Sequence, residues 1–274
     1  IQSHSISSHT IIENHPQIIS KSREWVSGKS NVTIKNIGEL YNFHVDAVVK
    51  NSNNVSFINN NIPISVISSI LVTDSNNITL TSNNFSSTTG STGGWDGCVV
   101  DIRNSETVTL NQNDLAGSSN RNGFCISNSN DIDIDANIYA GGTSIGDSSS
   151  MGIGFIEGNP SSSNIQIRNM NFYNISDGLY IGGCNPSCST TIVKSVSITG
   201  NTFDSIIGGR AVNLDHVENF TISDNIFKNH SSGEVLLIWG SDTGGHTITD
   251  NIFENNSWIA LNLGIVNNND GHTI

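Results

Sequence analysis

The chain has 274 residues, only 13% of them charged, and 11 Lys plus Arg against 24 Asp plus Glu leave a net charge of −13. Nucleic acids and anionic membrane surfaces are recognised by basic patches, so this balance argues against both as partners, and less strongly against an acidic polysaccharide. No apolar stretch approaches the roughly 20 residues needed to span a bilayer.

From the N-terminus onward one phrase recurs: an apolar anchor, Thr or Ser, a second apolar residue, Asn five positions after the anchor and an apolar residue, often aromatic, seven after it. Phe220-Thr221-Ile222-Ser223-Asp224-Asn225-Ile226-Phe227 is a clear copy. The anchors are His9, Val32, Val55, Ile78, Val108, Ile132, Ile165, Val196, Phe220, His246 and His272, spaced 23 to 33 residues apart. A period in this range with loop insertions is the signature of a solenoid.

Alternation inside each copy has period two, so each is a strand. The position two past the anchor (Ile11, Ile34, Phe57, Leu80, Leu110, Ile134, Ile167, Ile198, Ile222, Ile248, Ile274) is apolar throughout and predicted to face the interior. Asn14, Asn60, Asn83, Asn113, Asn137, Asn201, Asn225 and Asn251 follow at the next corner, with Ile37 and Met170 breaking the file. Asn tolerates the left-handed backbone of a sharp corner, and stacked amides can hydrogen-bond along the stack. Phe85, Leu115, Tyr139, Phe172, Phe203, Phe227 and Phe253 then predict an interior file of mostly aromatic rings.

A second strand is predicted at Gly97 to Val100, Gly123 to Ile126, Gly178 to Ile181, Ala211 to Leu214 and Val235 to Ile238. A third is short and poorly signalled. No Pro-rich or charge-rich linker breaks the register, so residues 1–274 read as one all-β domain of about ten coils, roughly 45–50 Å long at the ~4.8 Å strand spacing.

These repeats resemble the right-handed, single-stranded parallel β-helix of the pectate-lyase-like superfamily. The resemblance covers residues 9–274 and supplies the handedness. It implies polysaccharide chemistry in a groove along one face. Polygalacturonase-type members carry clustered Asp with His, Gly and an Arg-x-Lys element, and this chain has no Asp-Asp, Gly-His-Gly or Arg-Ile-Lys. Lyases of the superfamily use Arg or Lys as base with calcium held between Asp residues. The nearest catalytic candidates are Arg210, Asp215 and His216, against which stands a plain hydrogen-bonded corner. Lys194 and Lys228 have no obvious acidic partner.

Asp131, Asp133 and Asp135 alternate with inward-facing Ile, putting three carboxylates on one outer face. Hard oxygen ligands suit Ca²⁺, but alternate strand residues are nearly 7 Å apart and Arg168 lies in register with Asp135, so an ion-paired, solvated face is the competing reading. No other cofactor is implied.

Eight Asn-x-Ser/Thr sequons, at Asn31, Asn54, Asn77, Asn84, Asn174, Asn219, Asn229 and Asn255, are glycosylation candidates, though a corner Asn followed by an outward Thr creates such motifs unaided. Cys184 and Cys188 are spaced to close a small loop. Cys98 and Cys125 fall on adjacent coils about three residues out of register, beyond disulfide reach, and read as one buried and one outward thiol. Gly/Ser/Thr-rich insertions at residues 86–96, 141–150 and 182–191 are candidates for a binding face, with Trp95, Trp239 and Trp258 as sugar-stacking candidates.

Gly271-His272-Thr273-Ile274 opens another strand, so the sequence stops in mid-coil. Either it belongs to a longer protein, or its ends stack on other copies. The reading that follows is an extracellular or cell-surface structural or adhesive β-helix, self-assembling or glycan-bound. A polysaccharide lyase, epimerase or hydrolase, or a carbohydrate-binding module, is the alternative.

Overall fold

Alternating apolar and hydroxyl residues wind the chain into a right-handed parallel β-helix, with every strand pair among the described residues parallel. The computed structural model describes residues 2–3, 6–20, 24–42, 47–62, 70–85, 98–115, 122–140, 151–155, 162–182, 193–239 and 246–264. Two ten-stranded sheets run its length. A third face is made of a three-stranded sheet, the bridges Asn61↔Asn84, Asn84↔Asp114 and Asp114↔Ile138, and a five-stranded sheet.

The first sheet carries the repeat. Its strands Asn53–Ile58, Asn76–Thr81, Glu106–Asn111 and Asn130–Asp135 each bury the anchor and the residue two beyond, leaving the residue between half-exposed. The anchors stack as expected, Val32↔Val55↔Ile78↔Val108↔Ile132↔Ile165↔Val196↔Phe220.

The first coil departs from the expectation. Ile12, not Ile11, pairs with Ile34, so Thr10 rather than His9 is the anchor there, and Ile11 is 63% exposed. A one-residue slip exchanges the two faces of a strand, and two adjacent Ile satisfy the pattern in either register. Asn14 moves with the slip: its Oδ1 accepts the amide of exposed Asn36 at 3.1 Å, placing it in an outer file. His272 and Ile274 lie outside the described residues.

The interior Asn file is continuous from Asn60 through Asn83 and Asn113 to Asn137, and from Asn201 through Asn225 to Asn251. In each rung the main-chain N–H and the side-chain amide both donate to Oδ1 of the next Asn, and the second amide hydrogen reaches a strand carbonyl, as from Asn113 to Leu80 at 2.8 Å. Met170 interrupts the file, though its N–H still donates to Asn201 Oδ1 at 2.9 Å. The left-handed residue of this corner is not the buried Asn but the one before it: Asn36, Asn59, Ser82, Gln112, Ala136, Asn169, Gly200, Asp224 and Asp250, with φ between 52° and 66°. The buried Asn supplies the hydrogen bonds, and its neighbour makes the turn.

Across the interior, Phe172, Phe203, Phe227 and Phe253 stack with centroids 4.7, 4.9 and 5.0 Å apart. A second polar file lines the corner between the second and first sheets. Ser52, Ser75, Ser105, Ser129 and Ser162 are buried, and the main-chain N–H of each donates to the hydroxyl of the next at 3.0–3.2 Å.

Cys98 and Cys125 form a disulfide, contrary to the sequence expectation. Their offset is as counted, since Cys125 lies opposite Asp101, three residues past Cys98. A straight strand would then separate their Cα atoms by about 10 Å, whereas they are 5.8 Å apart. The chain bends at the start of Cys98–Arg103, where five successive residues are buried instead of alternating. Cys184 and Cys188 lie outside the described residues.

Candidate functional site

Outward-facing positions differ sharply between the sheets. On the first they are mostly Thr, Ser and Asn, with an ion-paired patch at its centre. Arg168 Nη2 donates to Asp133 at 2.7 Å, and Nε lies 3.5 Å from Asp135. Asn164 donates to Asp131 at 2.6 Å and Asn169 to Asp135 at 2.8 Å. The three carboxylates therefore serve amide and guanidinium partners, and among the described residues no group of three or more His, Cys, Asp or Glu gathers as a metal site would require. Lys194 and Lys228 do have partners, Glu218 at 3.1 Å and Asp204 at 3.3 Å, each one coil away. The Asp204 carboxyl is held below its usual range: burial raises it, but hydrogen bonds from Asn229, Ser205 and Lys228 and the Lys228 charge outweigh that.

The second sheet is different. Asp101 and Cys125 on its outer side are buried, and Leu237 is 7% exposed, so the chain covers parts of this face. Toward the C-terminal coils, functional groups from four successive rungs gather there. Asp177–Gly182, Val212–Asp215, Leu236–Trp239 and Leu261–Leu263 are hydrogen-bonded neighbours, with Gly182↔Asp215↔Trp239 in one file and Tyr180↔Asn213↔Leu237↔Asn262 in the next.

Asp215 and Trp239 alternate with buried Leu214 and Ile238, so both point outward. His216 turns at the following corner with φ 54°, and its Nδ1 lies 2.6 Å from Asp215 Oδ1. The pairing orients the ring and leaves Nε2 for exchange with a ligand, an arrangement able to move a proton or to bind a hydroxyl. Trp239, 50% exposed, stands beside them on the next rung. On the preceding rung the Tyr180 ring leans over Gly182, where an added Cβ would meet its hydroxyl at 3.1 Å.

At the entrance to these strands, Asp177 Oδ1 accepts the main-chain N–H of Arg210 at 2.9 Å, and Arg210 Nε donates to Glu234 at 3.1 Å. Asn262 donates to the other Glu234 oxygen at 3.3 Å. The Glu234 carboxyl is held below its usual range, first by its own main-chain N–H, against the effect of burial, and then by Arg210 and Asn262. Gly209 permits this close approach, since a Cβ there would fall 1.7 Å from Asp177 Oδ1. Beneath the cluster His230 is 1% exposed, near the main chain of Gly209 and Ser232 but with neither ring nitrogen in a well-formed hydrogen bond.

The structure thus brings Arg210, Asp215 and His216 onto one wall but does not cluster them: Arg210 belongs to the Asp177–Glu234 group and His216 to Asp215. Sequence reasoning missed Asp177, Tyr180, Glu234 and Asn262. Asp177 and Glu234 stand one coil to either side of Arg210. Trp258 is 61% exposed. Trp95 and nearly all of the three long insertions lie outside the described residues.

Seven of the eight sequon residues, Asn31, Asn54, Asn77, Asn174, Asn219, Asn229 and Asn255, have left-handed backbone. Asn84 is instead a bridge residue of the third face. Asn54 donates to Asn31 at 2.6 Å and Asn77 to Asn54 at 3.4 Å, so three of them form an exposed outer amide file.

No family model matches the sequence, and no curated protein matches it either. Solved structures do resemble the fold. The surface protein and adhesin PfbA of Streptococcus pneumoniae aligns with TM-score 0.61 and 13% identity over 95% of this chain and 88% of its own. The tailspike protein of an E. coli bacteriophage, solved with a pentasaccharide, aligns with TM-score 0.65 and 11% identity over 99% of this chain and 55% of its own. The A-module of a mannuronan C-5 epimerase from Azotobacter vinelandii aligns with TM-score 0.59 and 12% identity over 98% and 84%.

Proposed function

We propose that this chain is an extracellular or cell-surface β-helix that engages carbohydrate along the outer face of its second sheet. The observation carrying this reading is Trp239, half-exposed and side by side with the Asp215–His216 pair. An aromatic ring bordered by hydrogen-bonding groups suits the apolar face and hydroxyl rim of a sugar. The Cys98–Cys125 disulfide supports an oxidising compartment. The similarity to an adhesin, a tailspike and an epimerase is one of fold and is compatible with this role.

The test is a screen of immobilised oligosaccharides followed by calorimetry. Saturable binding lost in Trp239→Ala supports the proposal, and no binding across the screen defeats it. Turnover of a bound polysaccharide, abolished by His216→Ala or Arg210→Ala, would make the protein an enzyme rather than a binding or adhesive module. A second reading is self-association as a structural component of a surface. Sedimentation velocity across a concentration series tests it, and a monomer at every concentration removes it.

A further inference from the structure

Resting on the carbohydrate reading, we infer that the second-sheet face selects glycan segments without ionised acid groups, taken at a subsite formed by Trp239 and shaped by Gly264. Two independent features carry this. The first is charge. Across the four rungs from Asp177 to Gly264 the outer face presents Asp215, with Asp177 and Glu234 at the entrance to its strands, while Arg210 is the one guanidinium or ammonium group among the described residues of these four strands and the turns that lead into them. Arg210 is engaged by Glu234, and its main-chain N–H by Asp177. A uronate carboxylate bound beside Asp215 would meet a like charge directly, with no uncommitted cation to offset it, and such repulsion strengthens as a ligand excludes water.

The second feature is the seat of the ring. A Cβ added to Gly264 would meet Trp239 Cε3 at 2.7 Å and Cδ2 at 3.3 Å, so the six-membered part of the indole rests against this glycine. The side chain lies along the wall yet stays half-exposed. A ring held in this way offers a fixed apolar platform, which suits the C–H face of an uncharged pyranose, while Asp215 and His216 at its border accept and donate hydrogen bonds to hydroxyls. Gly264 is thus a positioning residue for Trp239. It needs no special backbone angle, because its φ lies outside the left-handed region.

The experiment is titration calorimetry of the whole chain, in EDTA, with uncharged oligosaccharides of glucose, galactose, mannose and N-acetylglucosamine, and in parallel with oligogalacturonate and oligomannuronate. The expected result is binding to at least one uncharged series, weakened on the order of tenfold or more by Trp239→Ala. Gly264→Ala should weaken binding similarly while leaving the thermal midpoint within a few degrees of the parent. The uronates should bind at least tenfold more weakly than the best uncharged ligand. Uronates that bind as tightly as the uncharged sugars in EDTA overturn the selectivity while leaving the carbohydrate reading intact. Uncharged-sugar binding indifferent to both Trp239→Ala and Gly264→Ala overturns the subsite. No binding to any sugar overturns the carbohydrate reading itself, and this inference with it.

Discussion

Oδ1 of Asn137 accepts two hydrogen bonds from Asn113, from its main-chain N–H at 2.8 Å and its side-chain amide at 2.9 Å. Both residues are 0–1% exposed, so each rung satisfies groups that no water can reach. Replacing Asn113 by Ala would strand the Leu80 carbonyl and the Asn83 donors together. The expected cost is about 2–4 kcal/mol, for two or more unsatisfied buried groups, read as a lower urea midpoint at unchanged m-value.

Met170 allows the converse test. Asn137 Nδ2 donates to the Leu110 and Asp135 carbonyls at 2.8 and 3.0 Å, but across the break in the file it faces the Met170 sulfur at 3.5 Å instead of an amide oxygen. Met170→Asn should join the two halves of the amide file. The gain of about 1 kcal/mol per hydrogen bond is offset in part by lost apolar volume, so the variant is expected to unfold at the same urea concentration as the parent or a higher one.

The ring file predicts a gradient. Phe203 is 1% exposed between two stacked rings, whereas Phe253, at the end of the file, is 37% exposed. Phe203→Ala should cost about 3–5 kcal/mol and Phe253→Ala clearly less. Equal losses at both positions would mean that neither burial nor stacking between two rings sets the cost.

Removing the disulfide by Cys98→Ser with Cys125→Ser should lower stability by about 2–4 kcal/mol, given the 27-residue separation. Mass spectrometry of the alkylated, unreduced parent should find neither of these two thiols modified.

His230 sets an acid-side limit. Burial lowers its pKa from 6.5, opposed by the nearby main chain of Gly209, by the Asp177 carboxylate and by the main chain of Ser232. Just below pH 6.5 the unfolded chain takes up a proton that the folded one refuses, so stability is full above that pH and falls as pH drops toward the folded-state value. Asp204 and Glu234, both depressed, act in a lower window: their stabilisation is present above 3.8 and 4.5 and is lost as pH falls below those values. His230→Phe should therefore flatten the urea midpoint between pH 7 and pH 5.5 while leaving the decline below pH 4.5 in place.

The coils were legible because their burial is monotonous: one apolar anchor and one apolar partner per turn, repeated until chance is excluded. The slip at Ile11 shows where that logic fails, since two adjacent Ile fit either register and only pairing with Ile34 decides. The serine file escaped notice because Ser is common throughout the chain, and burial alone separates Ser105 from exposed Ser8. Asp177 and Glu234 were illegible for a different reason. Each meets Arg210 across a neighbouring coil, and coil lengths of 23 to 33 residues leave such partners unaligned until the insertions are placed. The Cys98–Cys125 bond depended on a bend that no side-chain pattern announces.

The left-handed backbone at Asn31, Asn54, Asn77, Asn174, Asn219, Asn229 and Asn255 has a consequence for how such chains are read. Wherever a strand begins or ends with a left-handed Asn, and the residue two beyond carries a hydroxyl, an acceptor triplet for N-linked sugar arises from the corner itself. Such triplets therefore record where Asn makes a bend, and they would stay the same in a cell that possessed no oligosaccharyl transferase.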